Sequence, residues 1–320
     1  MAAIETHALT KRFGDVLAVD ALDLEVREGE IFGFLGPNGA GKSTTINMLL
    51  DFHRPTSGSA TVLGVDAQTE TDEIRRRTGV LPEGLELYDR LTAREHLELC
   101  VEMKDAADDP AAVLDRVGLA EAADRKAGGF STGMSQRLAL GMALVGDPDL
   151  VVLDEPSSGL DPNGIQHMRE LLREEAAGGT TVFFSSHILS EVEAVCDRVG
   201  IMSDGELVTV DTIDNLRKRS GDAGDVTLTV ESIPEDLRLA VIDDVTDVRV
   251  DEDDHEIRAY CHTGEAKMDV IRHVDRAATV TNVVATETSL EELFNKYTGG
   301  GRDGLDDDQR ELAEEQEVTA

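Results

Sequence analysis

Short apolar runs alternate with longer stretches of helical spacing through the first two-thirds of the chain. Residues 30–35, 150–153, 180–185 and 199–202 are apolar-rich runs bounded by polar segments. Runs of that length predict strands buried on both faces, as in a parallel sheet. After Val80 and Leu81 no comparable run occurs until residue 150. There Leu97, Val101, Leu114 and Val117 recur at helical spacing instead. The part before residue 74 is β-rich, and the whole predicts an α/β fold with a helical insertion over about 85–147.

Beyond residue 214 the pattern changes. Residues 225–231 alternate like a strand, and 234–242 predict a helix. Residues 245–250 and 256–261 flank a polar turn at 251–255, which predicts a hairpin. Met268, Ile271 and Val274 fall on one helical face, and 279–286 predict a last strand. The order β-α-β-β-α-β is that of the split βαβ (ferredoxin-like) arrangement, a small α/β domain. Ser289 and Glu292 form a capping-box pattern that opens a further helix. After Gly299 the chain turns acidic: residues 303–320 hold eight acidic residues and one Arg, predicting a disordered tail. The expected organisation is therefore 1–214, an accessory domain over 215–298, and a tail over 299–320.

Composition narrows the partners. The 320 residues carry 66 Asp plus Glu against 30 Lys plus Arg, a formal net charge of −36. Only seven of the basic residues are Lys. Nucleic-acid binding needs clustered basic residues on the phosphate backbone, so this balance argues against it. It also predicts self-repulsion, relieved by salt as the Debye length falls from about 10 Å at 0.1 M to about 3 Å at 1 M. A salt-rich cytosol is the expected setting. Cys100, Cys196 and Cys261 are far apart and form no CxxC, which suggests free thiols in a reducing compartment. His255, Cys261 and His262 fit no recognised metal-ligand spacing. The first ten residues lack the basic start and apolar stretch of a signal peptide. No window approaches the roughly 18 apolar residues of a spanning helix. The expected protein is soluble, held at a membrane only through a partner.

The chemistry concentrates in two segments. Gly36-Pro37-Asn38-Gly39-Ala40-Gly41-Lys42-Ser43 fits GxxxxGK[ST], and it lies between a predicted strand and the helical run that Thr44 opens. Its glycines let backbone N–H groups converge on phosphate oxygens at a helix N-terminus, whose dipole favours anions. Lys42 would neutralise β- and γ-phosphates, and Ser43 would bind Mg²⁺. The second segment, Asp149 to Glu155, is an apolar strand that delivers two carboxylates at its C-terminal end. That end is where open parallel sheets place ligands. Asp154 suits the Mg²⁺ side, and Glu155 suits the base that polarises an attacking water.

Three more segments complete a pattern. Phe130 to Arg137 reads Phe-Ser-Thr-Gly-Met-Ser-Gln-Arg, Ser158-Gly159-Leu160-Asp161 follows Glu155, and Ser185-Ser186-His187 ends the next strand. With the Gly36–Ser43 loop they resemble the ATP-binding subunit of ABC transporters, over about residues 4–214. The resemblance implies a P-loop ABC ATPase core that binds ATP and Mg²⁺. It implies that Phe13 stacks on adenine, and that Ser131 and Gly133 meet the γ-phosphate held by an opposite subunit. It makes His187 the switch histidine that senses the γ-phosphate, and puts Asp161 in the loop linking two ATP sites across a dimer.

The sequence departs from the family pattern twice. The signature reads Phe-Ser-Thr-Gly-Met rather than Leu-Ser-Gly-Gly-Gln, keeping Ser131 and Gly133. The position of the Q-loop glutamine, a metal-side residue, holds Glu83. Both forms are similar to exporter-type subunits for drugs, lipids or copper-linked systems. The implied function is an ATPase whose dimer closes on ATP and powers a separate permease, at the inner face of the cell membrane. The partners implied are that permease and a second ATP-binding subunit, with a homodimer expected. The alternatives are a non-transport ABC ATPase, as in cofactor assembly, and a regulatory nucleotide sensor suggested by Glu83. The C-terminal unit would regulate or stabilise the dimer.

The charge makes its own prediction. Melting temperature should rise as KCl goes from 0.1 to 2 M, followed by circular dichroism; a flat or falling profile would contradict a charge-limited fold.

Overall fold

The computed structural model describes residues 1–220, 224–234 and 237–286. They divide into two compact units, Met1–Asp211 and a second beginning at Thr212. The first runs β1 (Ala2–Phe13), β2 (Val16–Arg27), β3 (Ile31–Leu35), α1 (Lys42–Leu49), β4 (Ser57–Val62), β5 (Val65–Asp66), α2 (Thr71–Arg77) and β6 (Thr78–Leu81). It continues through α3 (Ala93–Lys104), α4 (Pro110–Arg116), α5 (Thr132–Leu144), β7 (Leu150–Asp154) and α6 (Pro162–Gly178). It ends with β8 (Thr181–Ser186), α7 (Leu189–Val195), β9 (Arg198–Ser203) and β10 (Glu206–Asp211).

Two sheets result. The first is antiparallel, in the order β2-β1-β4-β5. Its strand β2 alternates, with Leu22, Leu24 and Val26 buried and Asp23, Glu25 and Arg27 exposed, so one face seals the core and the other meets water. The second sheet has the order β10-β9-β3-β8-β7-β6, parallel from β9 to β6 with β10 antiparallel at the edge. Every residue of β3, β7 and β8 is buried. That is why these strands read as continuous apolar runs rather than as an alternation. Phe183 on β8 packs its ring against Phe32 at 5.8 Å, nearly parallel, and against Phe34 at 5.3 Å, tilted.

The helical insertion follows β6. Thr92 and Glu95 close a reciprocal capping box on α3, and Asp109 with Pro110 starts α4. Ser131 caps α5 by accepting from the Met134 N–H.

The second unit contains α8 (Ile213–Ser220), β11 (Gly224–Val230), β12 (Val245–Asp251), β13 (Glu256–Cys261), α9 (Gly264–Ala277) and β14 (Val280–Thr286). The sheet is antiparallel throughout in the order β12-β13-β11-β14, and α9 lays Ala266, Val270 and Val274 on Val226, Leu228, Ile257 and Ala259. The helix expected over 234–242 does not form over the described residues of that span. Among the described residues only a 3₁₀ turn at Leu239–Val241 forms. Arg238 takes a left-handed φ of 32°, which no α-helix interior accepts. Leu239 is buried in the core of the sheet, with Leu237 and Ile242 packed against it, while Val241 faces water. The helix expected from Ser289 and the acidic tail lie outside the described residues. Among the described residues, no helix is long and apolar enough to cross a membrane.

The three-ring cluster sets a testable stability. Phe183→Ala should cost about 3–5 kcal/mol. That corresponds to a fall of roughly 6–20 °C in the calorimetric transition of the larger unit. A shift under about 2 °C would mean the rings are not a keystone of that core.

Candidate functional site

The parallel register decides where the chemistry gathers. Leu35 of β3 pairs with Ser186 of β8, and Asp154 of β7 pairs with Ser185. The strands end in one row, so the loops after β3, β6, β7 and β8 leave from the same edge of the sheet. These loops carry the Gly36–Ser43 segment, Glu83, Glu155 and His187 respectively.

The Gly36–Ser43 loop wraps into the N-terminus of α1. Gly41 is the residue before the helix, with φ at 105°. A Cβ there would stand 2.5 Å from the Ala18 carbonyl oxygen, so neither the conformation nor the space admits a side chain. The loop bounds an open pocket of about 370 Å³, whose lining runs from Pro37 to Thr44 with Ala18, Glu83 and Glu155 opposite. The first N–H groups of α1 have no partner within the helix, which makes this end an anion-binding surface.

A chain of charges spans the pocket wall. Lys42 is only 6 % exposed. Its ammonium donates to the Gly36 carbonyl at 2.7 Å and the Pro37 carbonyl at 3.3 Å, and lies 3.6 Å from Glu155 Oε1. The other carboxylate oxygen of Glu155, Oε2, meets His187 Nδ1 at 2.9 Å. A carboxylate only accepts, so Nδ1 carries the proton in that contact. His187 itself is half exposed.

Glu155 is held in an uncommon conformation, with φ at 50°. For a residue other than Gly this costs about 1–2 kcal/mol. Its N–H donates to the Ser185 hydroxyl at 3.2 Å and the Ser185 carbonyl at 3.3 Å. Gln136 of α5 donates to the carbonyls of Pro156 at 2.9 Å and Glu155 at 3.5 Å. Four bonds thus pin the turn. Asp154 is also buried, and the Ser185 hydroxyl donates to its Oδ1 in a short hydrogen bond. One serine therefore fixes both acidic residues.

Other residues singled out by sequence lie apart from this pocket. Phe13, at the end of β1, keeps its ring 43 % exposed beside His53, edge-on at 5.4 Å, with the Lys11 ammonium 4.8 Å from its centre. Ser131 caps α5 and Asp161 caps α6, accepting from the Gly164 N–H at 2.7 Å. Gly133 lies against the loop after Glu155: a Cβ there would be 3.3 Å from the Gly159 carbonyl oxygen. Gly159, at φ 74°, has no room for a side chain against Thr132. Sequence reasoning passed over the roles of Ser185 and Gln136, although both sit inside the segments it quoted.

Residues 19–158 match the family profile of the ABC transporters. Over 313 residues the chain is 40 % identical to the bacitracin transport ATP-binding protein BcrA of Bacillus licheniformis, covering 94 % of this chain and 99 % of that protein. The chain belongs to the ABC transporter ATP-binding proteins. This ABC ATP-binding protein is also 35 % identical over 316 residues to the linearmycin resistance ATP-binding protein LnrL of Bacillus subtilis, covering 92 % of this chain and 98 % of that protein. Its fold matches that of a solved dimeric ATP-binding cassette in a post-hydrolysis state, bound to ADP and Pi. The TM-score is 0.59 at 26 % identity, over 66 % of this chain and 98 % of that one. The chain is thus an ABC ATPase, and its Gly36–Ser43 loop falls within the residues that match the family profile.

Proposed function

We propose that the protein is the ATP-hydrolysing subunit of an exporter, in which two copies close head to tail on two ATP molecules and drive a separate permease. The observation that carries the ATPase part is the line Lys42–Glu155–His187 on the wall of the nucleotide pocket. In this reading Glu155 takes the proton of an attacking water, and His187, bonded to Glu155 through Nδ1, orients that carboxylate toward it. Lys42 neutralises β- and γ-oxygens, in competition with its present carboxylate partner.

The residues fit Mg²⁺. Ser43 and Glu83 line the pocket, Asp154 is a buried residue directly before Glu155 in sequence, and all three offer hard oxygen donors. When bound, the metal ion neutralises charge on the transferring phosphoryl group. Glu83 brings a further carboxylate to that pocket, where the ion would offset its negative charge.

The export reading rests on the length of the kinship. The two relatives are named for bacitracin transport and linearmycin resistance, and their similarity runs through the second unit as well as the first. Exposed Leu85, Tyr88 and Met103 on and before α3 support a permease contact on the helical insertion near Glu83. Ser131 and Gly133 lie away from the chain's own nucleotide pocket, which supports their serving a second copy's nucleotide.

The test is Glu155→Gln. Steady-state ATPase activity should fall by about 10²–10⁴-fold. The variant should also form a dimer with MgATP that persists in size-exclusion chromatography with light scattering. Hydrolysis at the parent rate would remove Glu155 from the role.

A further inference from the structure

Glu191 is a buried carboxylate that the ATPase mechanism leaves unused. It is 3 % exposed on the short helix α7. A single oxygen, Oε2, accepts from the Ser157 hydroxyl at 2.6 Å and from the Ser186 hydroxyl at 3.1 Å. Those two serines stand on different segments. Ser157 is two residues past Glu155, in the loop after β7, and Ser186 is the last residue of β8, directly before His187. The Ser186 hydroxyl also accepts from the Ile188 N–H at 2.9 Å, so it fixes the chain on the far side of His187.

The carboxylate's own platform is braced from behind. Arg169 of α6 donates to the Ser190 carbonyl at 3.3 Å, and Arg173 donates to the Ala194 carbonyl in a short contact. Helix α6 begins at Asp161, where the loop from Glu155 ends. Burying a carboxylate is costly and is tolerated where hydrogen bonds meet it. Here the bonds go to the two loops that carry the water-activating pair.

We propose that Glu191 is a positioning residue for ATP hydrolysis: it ties the loop of Glu155 to the loop of His187 and so sets the geometry of that pair. This rests on the reading of Glu155 and His187 as the pair acting on water. Loss of the tie leaves the Gly36–Ser43 loop in place, since Glu191 hydrogen-bonds Ser157 and Ser186 and neither that loop nor Lys42. Misplacement of the pair by a fraction of an ångström to 1 Å lowers turnover without weakening ATP binding.

The experiment compares Glu191→Ala, Glu191→Gln and Ser157→Ala with the parent full-length chain, with Glu155→Gln run in parallel. Glu191→Ala should lower kcat roughly 10- to 100-fold while KM and the calorimetric Kd for MgATP move less than about threefold. Glu191→Gln keeps one oxygen that both hydroxyls can reach, and should restore kcat to within about threefold of the parent. Should Glu191→Ala fail to fold, Ser157→Ala carries the same test, with kcat expected to fall about threefold or more at unchanged KM. Parent kcat in Glu191→Ala, or a loss that appears in KM alone, overturns the proposal, as does a Gln variant as slow as the Ala variant. Turnover surviving in Glu155→Gln would instead sink the underlying ATPase assignment, whatever Glu191 does.

Discussion

The hydrogen-bond register between β3, β8 and β7 is the constraint on which the site depends. Pairing Leu35 with Ser186, and Asp154 with Ser185, ends three neighbouring strands in a row. The Gly36–Ser43 loop, Asp154 with Glu155, and His187 then emerge side by side. A shift of one residue would turn Ser185 to the opposite face of the sheet. Its hydroxyl could then no longer reach both Asp154 and the Glu155 N–H. The packed rings of Phe32, Phe34 and Phe183 stand behind that register, so the core and the chemistry share strands.

Much of this was legible in local stretches of sequence. The Gly36–Ser43 segment works through the few residues that make it, so its spacing carried its structure: a positive φ at Gly41 and a helix from Lys42. The apolar run into Asp154 and Glu155 likewise announced a buried strand with acids at its end. What could not be read were bonds between distant segments. Ser185 to Asp154, Gln136 to Pro156 and Ser157 to Glu191 join residues 20 to 34 positions apart, and no local pattern encodes such a pairing. The helix expected over 234–242 failed for a related reason. Its apolar residues satisfied a helical spacing, but the core of the second unit's sheet claimed them singly, through a left-handed turn at Arg238.

Acidity and phosphate binding coexist because they act at different ranges. The net charge of −36 argues against an extended basic surface. The pocket instead brings one buried lysine among seven to the N-terminus of a helix, where local N–H groups can meet an anion. Lys42 is buried against its own loop, donating to the Gly36 carbonyl, and is paired with Glu155. Glu155 thereby holds two relations at once, to the Lys42 ammonium and to the His187 ring.

The central claim is that this local arrangement, and Lys42 above all, holds the nucleotide. Isothermal titration of MgATP into Lys42→Ala at fixed ionic strength measures it directly. Loss of a charge-assisted contact worth about 1.5–3 kcal/mol should weaken binding roughly 10- to 150-fold. Affinity within threefold of the parent would contradict the account, and would mean that the phosphates are held somewhere else.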